Sequence, residues 1–262
     1  MIGLASQIQP ANIGAIVTPG SYYTDGAGDA LNIAASDSIE DVFKGSWTIS
    51  HWIKFFDPDD MDGAGNHYIG GGQGVNSNTK FYLGLLSNAQ WYCWWKIGTN
   101  INTITPASGF DSETPSEWIH LAVRSSIVTT KVETSFWLNG VHQGTSGNVA
   151  SADHTNLDWA EKPVYIGAWS TGAGINYETR AHITDIAVHD VALTDDEMAA
   201  IGNPSNGKPL DLTANTNSYS SAANLSKYFR MNKGHELVND GNDGINMALV
   251  GDPTWGYAHP NA

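Results

Sequence analysis

Residues 45–55 read GSWTISHWIKF, and the two sets of alternate positions in that stretch differ in character. Trp47, Ile49, His51, Ile53 and Phe55 fall on one side of an extended chain, while Thr48, Ser50, Trp52, Lys54 and Phe56 fall on the other. A strand sends successive side chains to opposite faces, so the first set forms an apolar face and the second a mixed one. β-Branched and aromatic residues fill the stretch and a glycine precedes it, which makes a β-strand the direct reading.

The same period of two recurs at 80–86, 90–97, 118–125, 133–138, 163–169 and 182–189, with Gly, Asn, Asp and Pro between the runs. Many short antiparallel strands give this pattern. Asn139-Gly140, between SFWL and VHQG, is the strongest hairpin signal, because a type I′ turn needs positive φ at both central residues. One segment, 194–201, reads as a short helix. Thr194 and Glu197 form a capping box, Asp195 and Asp196 sit at the positive end of the dipole, and Gly202 with Pro204 ends it. Capping accounts for that acidic cluster without a catalytic role. Residues 202–223, polar and rich in Asn and Ser, read as a linker or surface loop.

Composition narrows the function classes. Twelve Lys+Arg oppose 27 Asp+Glu, a net charge of −15, which repels phosphate backbones and leaves no basic patch for nucleic acid. With 41% hydrophobic residues, including ten Trp, ten Tyr and seven Phe, the chain can bury a sizeable core rather than remain disordered. The longest apolar runs, such as 13–17, fall far short of the roughly 18 residues of a membrane-spanning helix. Cys93 is the single cysteine, which excludes an intrachain disulfide and a Cys-based zinc site. Residues 1–14 show neither a basic n-region nor a continuous apolar h-region, so the reading expects folding in the cytoplasm.

The order of motifs resembles the laminin-G-like, concanavalin A-like jelly-roll family of lectins and glucanases, also met in phage surface proteins. DGAGDALNIAAS at 25–36 looks like the family's early Asp-Gly strand, and GSWTISHWIKF like its "fTvsaWvk" strand. SEWIHLAV at 116–123 is similar to "eWhHvav", with Trp118 and His120 in the Trp and second His places. FWLNGV at 136–141 is similar to "lYvDGv" with Asn139 for Asp, and KPVYIGAW at 162–169 to "lyiG". HITDIAVHDVALTDDEMAAI at 182–201 looks like the terminal strand and helix, with His182 near a usual Gly. LSKYFRMNKGHELVNDGNDGINMALVGDPTW, 225–255, resembles a segment that precedes the first strand in many members but here follows the helix. The resemblance implies an all-β, two-sheet antiparallel jelly-roll sandwich with one short helix near 194–201. We expect an N-terminal arm at 1–21, the sandwich at 22–202, and a loop with C-terminal strands at 203–262 completing the same sandwich, since about 60 residues cannot supply another two-sheet core.

Retaining glycosidases place two carboxyls about 5 to 5.5 Å apart, and in this family they carry Glu-x-Asp-x-x-Glu. The chain has no such motif, nor an H-E-x-x-H, G-x-S-x-G or Walker A loop. The acidic loop FDPDDMDGAGN, 56–66, is the best metal candidate: Asp57, Asp59, Asp60 and Asp62 offer hard oxygens suited to Ca²⁺, although Met61 breaks EF-hand spacing and a solvated hairpin tip outweighs the calcium reading, since short acidic turns are commonplace. Asn239, Asp240, Asn242 and Asp243 read as a turn. In QWYCWWKI, 90–97, Trp91, Cys93 and Trp95 share one face and Tyr92 and Trp94 the other. The second face is a covered core face, a protein interface, or a platform on which Tyr92 and Trp94 bind sugar rings. Trp52, Trp118, Trp137 and Trp169 read as packing residues.

Together these features lead us to expect a non-enzymatic virion protein of a tailed phage, a capsid decoration or tail-associated adhesion module. Its expected partners are other virion proteins, in an oligomer, and cell-surface glycans, with no nucleic acid and no membrane span. The alternative is an extracellular, calcium-dependent carbohydrate-binding lectin; a glycan hydrolase with dispersed carboxylates ranks third.

Overall fold

The computed structural model describes residues 21–25, 28–33, 37–55, 67–73, 79–85, 91–97, 100–104, 117–150, 164–170, 175–176, 180–203, 209–231, 240–241, 246–251 and 253–256. The fold is all-β, a jelly-roll-like sandwich of antiparallel sheets. The first sheet holds β1 (Ser21–Asp25), β3 (Trp47–Phe55), β8 (Ile119–Val128), β9 (Lys131–Leu138), β10 (Val141–Ala150), β14 (Arg180–His189), β15 (Leu225–Phe229) and β17 (Thr254–Gly256). Its order is β10-β9-β8-β3-β14-β1-β17, with β15 also paired to β14. The second sheet holds β2 (Ala30–Ile33), β4 (His67–Gln73), β5 (Thr79–Leu85), β6 (Trp91–Ile97), β7 (Asn100–Ile104), β11 (Val164–Ile166) and β16 (Met247–Val250). Its order is β16-β2-β11-β4-β5-β6-β7, and β12 (Trp169–Ser170) pairs with β13 (Ile175–Asn176) apart from it.

Alternation decides which residues meet between the sheets. Trp47, Ile49 and Ile53 of β3, Ile119, Leu121 and Val123 of β8, and Ile183, Ile186 and Val188 of β14 join Leu31, Ile33, Leu83, Cys93, Val164 and Ile166 of the second sheet in one core. At the β7/β10 edge, buried Asn102 ties the layers through polar bonds instead. Its Nδ2 donates to the Val132 carbonyl at 2.8 Å and to Thr134 Oγ1 at 3.0 Å, and its Oδ1 accepts from the Val149 amide at 3.1 Å. A buried amide satisfied this fully fixes the two edges against each other.

The described residues include two α-helices, one beyond the single helix that the sequence predicts. α1 (Asp37–Lys44) sets Phe43 edge-on to Trp47, with ring centroids 4.8 Å apart, and so closes one end of the core. α2 (Asp195–Gly202) has the expected capping box. No described helix is long and apolar enough to cross a membrane. At the β9/β10 hairpin, Asn139 and Gly140 take φ values of 48° and 75°, as a type I′ turn requires.

Residues 209–223, within the stretch read as a linker, depart from that reading. Leu210, Leu212 and Tyr219 are buried with Met198 and Ile201 of α2, Ala122, Trp137 and Ala187 of the first sheet, and Leu225 and Tyr228 of β15. This second core covers part of the outer face of the first sheet. Glu197 holds its lid together: one carboxylate oxygen accepts from the Thr194 amide and hydroxyl, and the other from the Ser220 amide and the Ser220 and Ser221 hydroxyls, at 2.7–3.0 Å. Local polar bonds add to it: the Thr213 amide and hydroxyl donate to Asp211 Oδ1, and the Ala222 amide donates to Asn215 Oδ1. The chain after α2 then enters both sheets, β15 and β17 in the first and β16 in the second.

Candidate functional site

β14 carries a break that divides the outer face of the first sheet. β1 pairs with its first half, Tyr22 opposite Ile183, and β15 with its second half, Ile186 opposite Phe229. Between them Asp185 takes φ 49°, and the β3 register slips between Thr184 and Ala187. This is a β-bulge, which tends to re-aim side chains next to functional sites. The buried Asp185 carboxylate accepts from the Tyr228 hydroxyl at 3.1 Å, tying the bulge to the second core. Beyond the bulge lies the half of the outer face that the second core leaves bare.

Register arranges that half in rows. Tyr23 of β1 stands opposite His182 of β14, which stands opposite Lys54 of β3. Ile53 pairs with Ile119, so Trp118 continues the row. In the next row Thr184, Trp52 and His120 are consecutive partners. Tyr23, Trp52, Lys54, Trp118 and His182 are all half-buried and Arg180 is exposed, whereas Tyr22, Ile53, Ile119 and Ile183 at the intervening positions are buried in the core.

The rings touch. His182 lies 5.5 Å from Tyr23 and 6.4 Å from Trp118, centroid to centroid, and Trp52 lies 5.2 Å from His120. Ser21 Oγ and His182 Nδ1 are hydrogen-bonded at 2.9 Å, and Arg180 Nε donates to the Tyr23 hydroxyl at 3.1 Å, so two of the rings are held in orientation. Burial, with a smaller push from Lys54, lowers the His182 pKa to about 4; burial, helped by His51, lowers His120 to about 3. Both imidazoles are therefore neutral near pH 7, and the face is a platform of aromatic rings beside cationic side chains. Such a surface can stack on the apolar face of a sugar ring and hydrogen-bond its hydroxyls.

The residues singled out from sequence fare unevenly. Tyr92 is half-buried on β6 next to buried Cys93, which puts it on the outer face of the second sheet. Trp94 shares that face by register, opposite Tyr82 and Thr103, but its side chain lies outside the described residues. Asp57, Asp59, Asp60 and Asp62 lie outside them too, as do Asn239, Asn242 and Asp243. Asp240 accepts from Arg230 Nε at 2.8 Å, a structural pairing. Among the described residues no group of three or more His, Cys, Asp or Glu is placed to hold a metal. Trp137 packs as expected, but Trp52 and Trp118 are half-exposed members of the platform. Their signal was parity: Trp52 alternates with core residue Ile53 and shares its face with Lys54. A cavity of about 250 Å³ between α2 and the 210–218 segment, lined by Asp196, Ala199, Asn203, Leu210 and Asn217, has no aromatic wall and falls below the roughly 300 Å³ of small ligand pockets.

A family model described as the concanavalin A-like lectin/glucanases superfamily matches residues 25–199. The chain belongs to that superfamily. Among curated proteins no relative matches this superfamily member. Solved structures do. A Bacteroides ovatus protein described as a candidate carbohydrate binder superposes with a TM-score of 0.57 at 14% identity over 91% of this chain and 59% of its own, so the chain spans under two thirds of that protein. The carbohydrate-binding module CBM40 of the Ruminococcus gnavus IT-sialidase, bound to α2,3-sialyllactose, gives 0.52 at 14% identity over 71% of this chain and all of the module. A leech intramolecular trans-sialidase gives 0.51 at 14% identity, covering 76% of this chain and 30% of the enzyme. At these identities the likeness is one of fold. Carbohydrate-binding modules and lectin-like domains thus number among the neighbours of this concanavalin A-like sandwich.

Proposed function

We propose that this protein is a non-catalytic carbohydrate-binding module that docks glycans on the bare half of the first sheet's outer face. The observation that carries the reading is the row of half-buried rings, Tyr23, His182 and Trp118, with Trp52 beside it, on a face whose remainder is covered by a dedicated second core. A stretch of aromatic surface that the second core does not reach, beside a stretch that it lids, supports a contact surface there. The carbohydrate-binding neighbours support sugar as the contact. A platform of neutral rings beside cations suits the stacking and hydrogen bonding by which sugars are held.

We place the module on the surface of a tailed-phage virion, where many copies convert weak single contacts into avidity. A sandwich stabilised by packing, with one buried cysteine, suits a protein that folds in a reducing cytoplasm and later meets a cell surface. Two experiments test the reading. A glycan microarray probed with the protein and with Trp52→Ala should show binding that the variant loses; an array blank for both would refute glycan docking. Mass spectrometry of purified particles should find the chain at fixed stoichiometry, and its absence would refute the virion placement.

A further inference from the structure

We infer that the glycan docked on this face carries an anionic group, which Lys54 receives at the centre of the aromatic row. The inference rests on the carbohydrate reading above and adds the chemical class of the ligand. Only 12 of the 262 residues are Lys or Arg, yet the row contains one and its border another. Lys54 stands by register between His182 on β14 and Trp118 before β8 and is half-buried, so its side chain packs in part against the row. No carboxylate pairs with it among the described residues. Glu117, beside Trp118 in sequence, is exposed and forms no ion pair with Lys54.

The other cationic side chains described in this part of the molecule are already committed. Arg124 donates to the Leu193 carbonyl and pairs with Asp195 at 2.6 Å, and Arg230 lies between Asp211 and Asp240 at 2.9 and 2.8 Å. Arg180 orients Tyr23 through Nε. Lys54 differs in having no such structural duty. A pyranose stacked across Trp118 and His182 places its ring substituents beside the Lys54 ammonium, where a carboxylate or sulfate accepts a charge-assisted hydrogen bond. The neutral state of His182 leaves Lys54 the local positive charge of the row. The chain's net charge of −15 opposes an anion at long range, but beyond about 8 Å it is screened at physiological ionic strength, so the group in contact decides.

Matched probes separate this inference from the reading beneath it. Lactose is compared with 3′-sialyllactose and 3′-sulfolactose, and oligogalacturonate with its methyl ester, on wild type, Lys54→Met and Trp52→Ala. The expected result is retention of the anionic member of a pair over its neutral counterpart, weakened about tenfold by Lys54→Met and reduced by added salt. Carboxylated and sulfated arms then identify which anion is preferred. Equal binding of neutral and anionic members, lost in Trp52→Ala but unchanged in Lys54→Met, overturns the anionic class and leaves glycan docking standing. No binding of any probe or of a broad neutral array overturns both. Methionine keeps the apolar stem, and an unchanged melting temperature verifies that the loss reads the charge.

Discussion

Gly140, in the turn of the β9/β10 hairpin, and Gly202, the last residue of α2, are packed backbone against backbone. A Cβ on Gly202 would lie 2.7 Å from the Gly140 Cα and 2.7 Å from His120 Nδ1, and one on Gly140 would lie 2.9 Å from the Ala199 carbonyl oxygen. Asn139 completes the junction: its amide donates to the His120 carbonyl at 2.9 Å and its Oδ1 accepts from the His120 amide at 2.8 Å. The helix that lids the outer face thus seats on the hairpin through two residues without side chains. Gly202→Ala should lower stability by about 1–3 kcal/mol through overpacking. Gly140→Ala adds the cost of its φ of 75° and should lose more. Urea titration checks both, with Gly45→Ala, whose Cβ would meet its nearest atom at an ordinary 3.6 Å, as the near-neutral control.

The Glu197 carboxylate accepts five hydrogen bonds, two from Thr194 at the cap of α2 and three from Ser220 and Ser221, which join α2 to the 219–222 segment. Burial raises its pKa, but the bonds from Thr194, Ser221 and Ser220 outweigh that and hold it at about 2. Glu197→Ala should cost about 3 kcal/mol, since buried donors lose a charged acceptor. Increased proteolysis within 209–224 should accompany it; intact resistance would contradict the clamp.

Acid should destabilise the protein earlier than carboxylate protonation alone explains. His51 and His120 are held to about 3 and His189 to about 4, mainly by burial, in the last case against an opposing pull from Glu197. His51 Nε2, His120 Nδ1 and His189 Nδ1 have no hydrogen-bond partner among the described residues. The unfolded chain takes up histidine protons below about 6.5 while the native state does not, so stability is full above that pH and falls as pH drops towards 3–4; Glu197 adds its loss below about 4.5. Unfolding midpoints at pH 7.5, 5.5 and 4.5 should decline in that order. Identical midpoints at pH 7.5 and 4.5 would contradict the account.

Trp118→Ala should weaken glycan binding about tenfold, with little change in melting temperature, because its ring is half-exposed. Trp137→Ala makes the opposite pattern testable. That ring is buried in the second core under the Arg124 guanidinium, 5.1 Å from its centroid, and its loss should cost about 3–5 kcal/mol. Calorimetry with and without ligand separates the two outcomes.

Cys93 lies wholly buried on β6, and burial pushes its thiol well above the ordinary range. A thiol-reactive reagent should leave it untouched in the native protein and label it at the rate of unfolding. Rapid native labelling would show that the core opens locally at β6.

The alternation around Ile53 and the Asn139-Gly140 dipeptide were legible because strand parity and turn conformation are local properties. The Thr194/Glu197 box was legible for the same reason. Ile39, Val42 and Phe43 carry helical spacing for α1, but eight residues between two strands offer too little of it to stand out. What could not be read was which half of an outer face is covered. Trp52 and Trp137 look alike in sequence; Trp137 lies under α2 and the Leu210–Tyr219 lid and Trp52 beyond it, a difference set by contacts distant in the chain. Leu210, Leu212 and Tyr219 were hidden by their polar neighbours.

β1 is sandwiched between β14 and β17, so the first described strand is locked in by segments made late. Ser21 and His182, bonded in the finished sheet, are 161 residues apart in sequence. β3, β8, β9 and β10 can pair early, but β1 cannot be placed in the sheet until β14 and β17 have emerged, and pairings of such long range make folding slow. Until residues 180–256 emerge the nascent chain carries unpaired strand edges at β1 and β3, and its yield should depend on chaperones and on the rate of translation across the codons for that stretch.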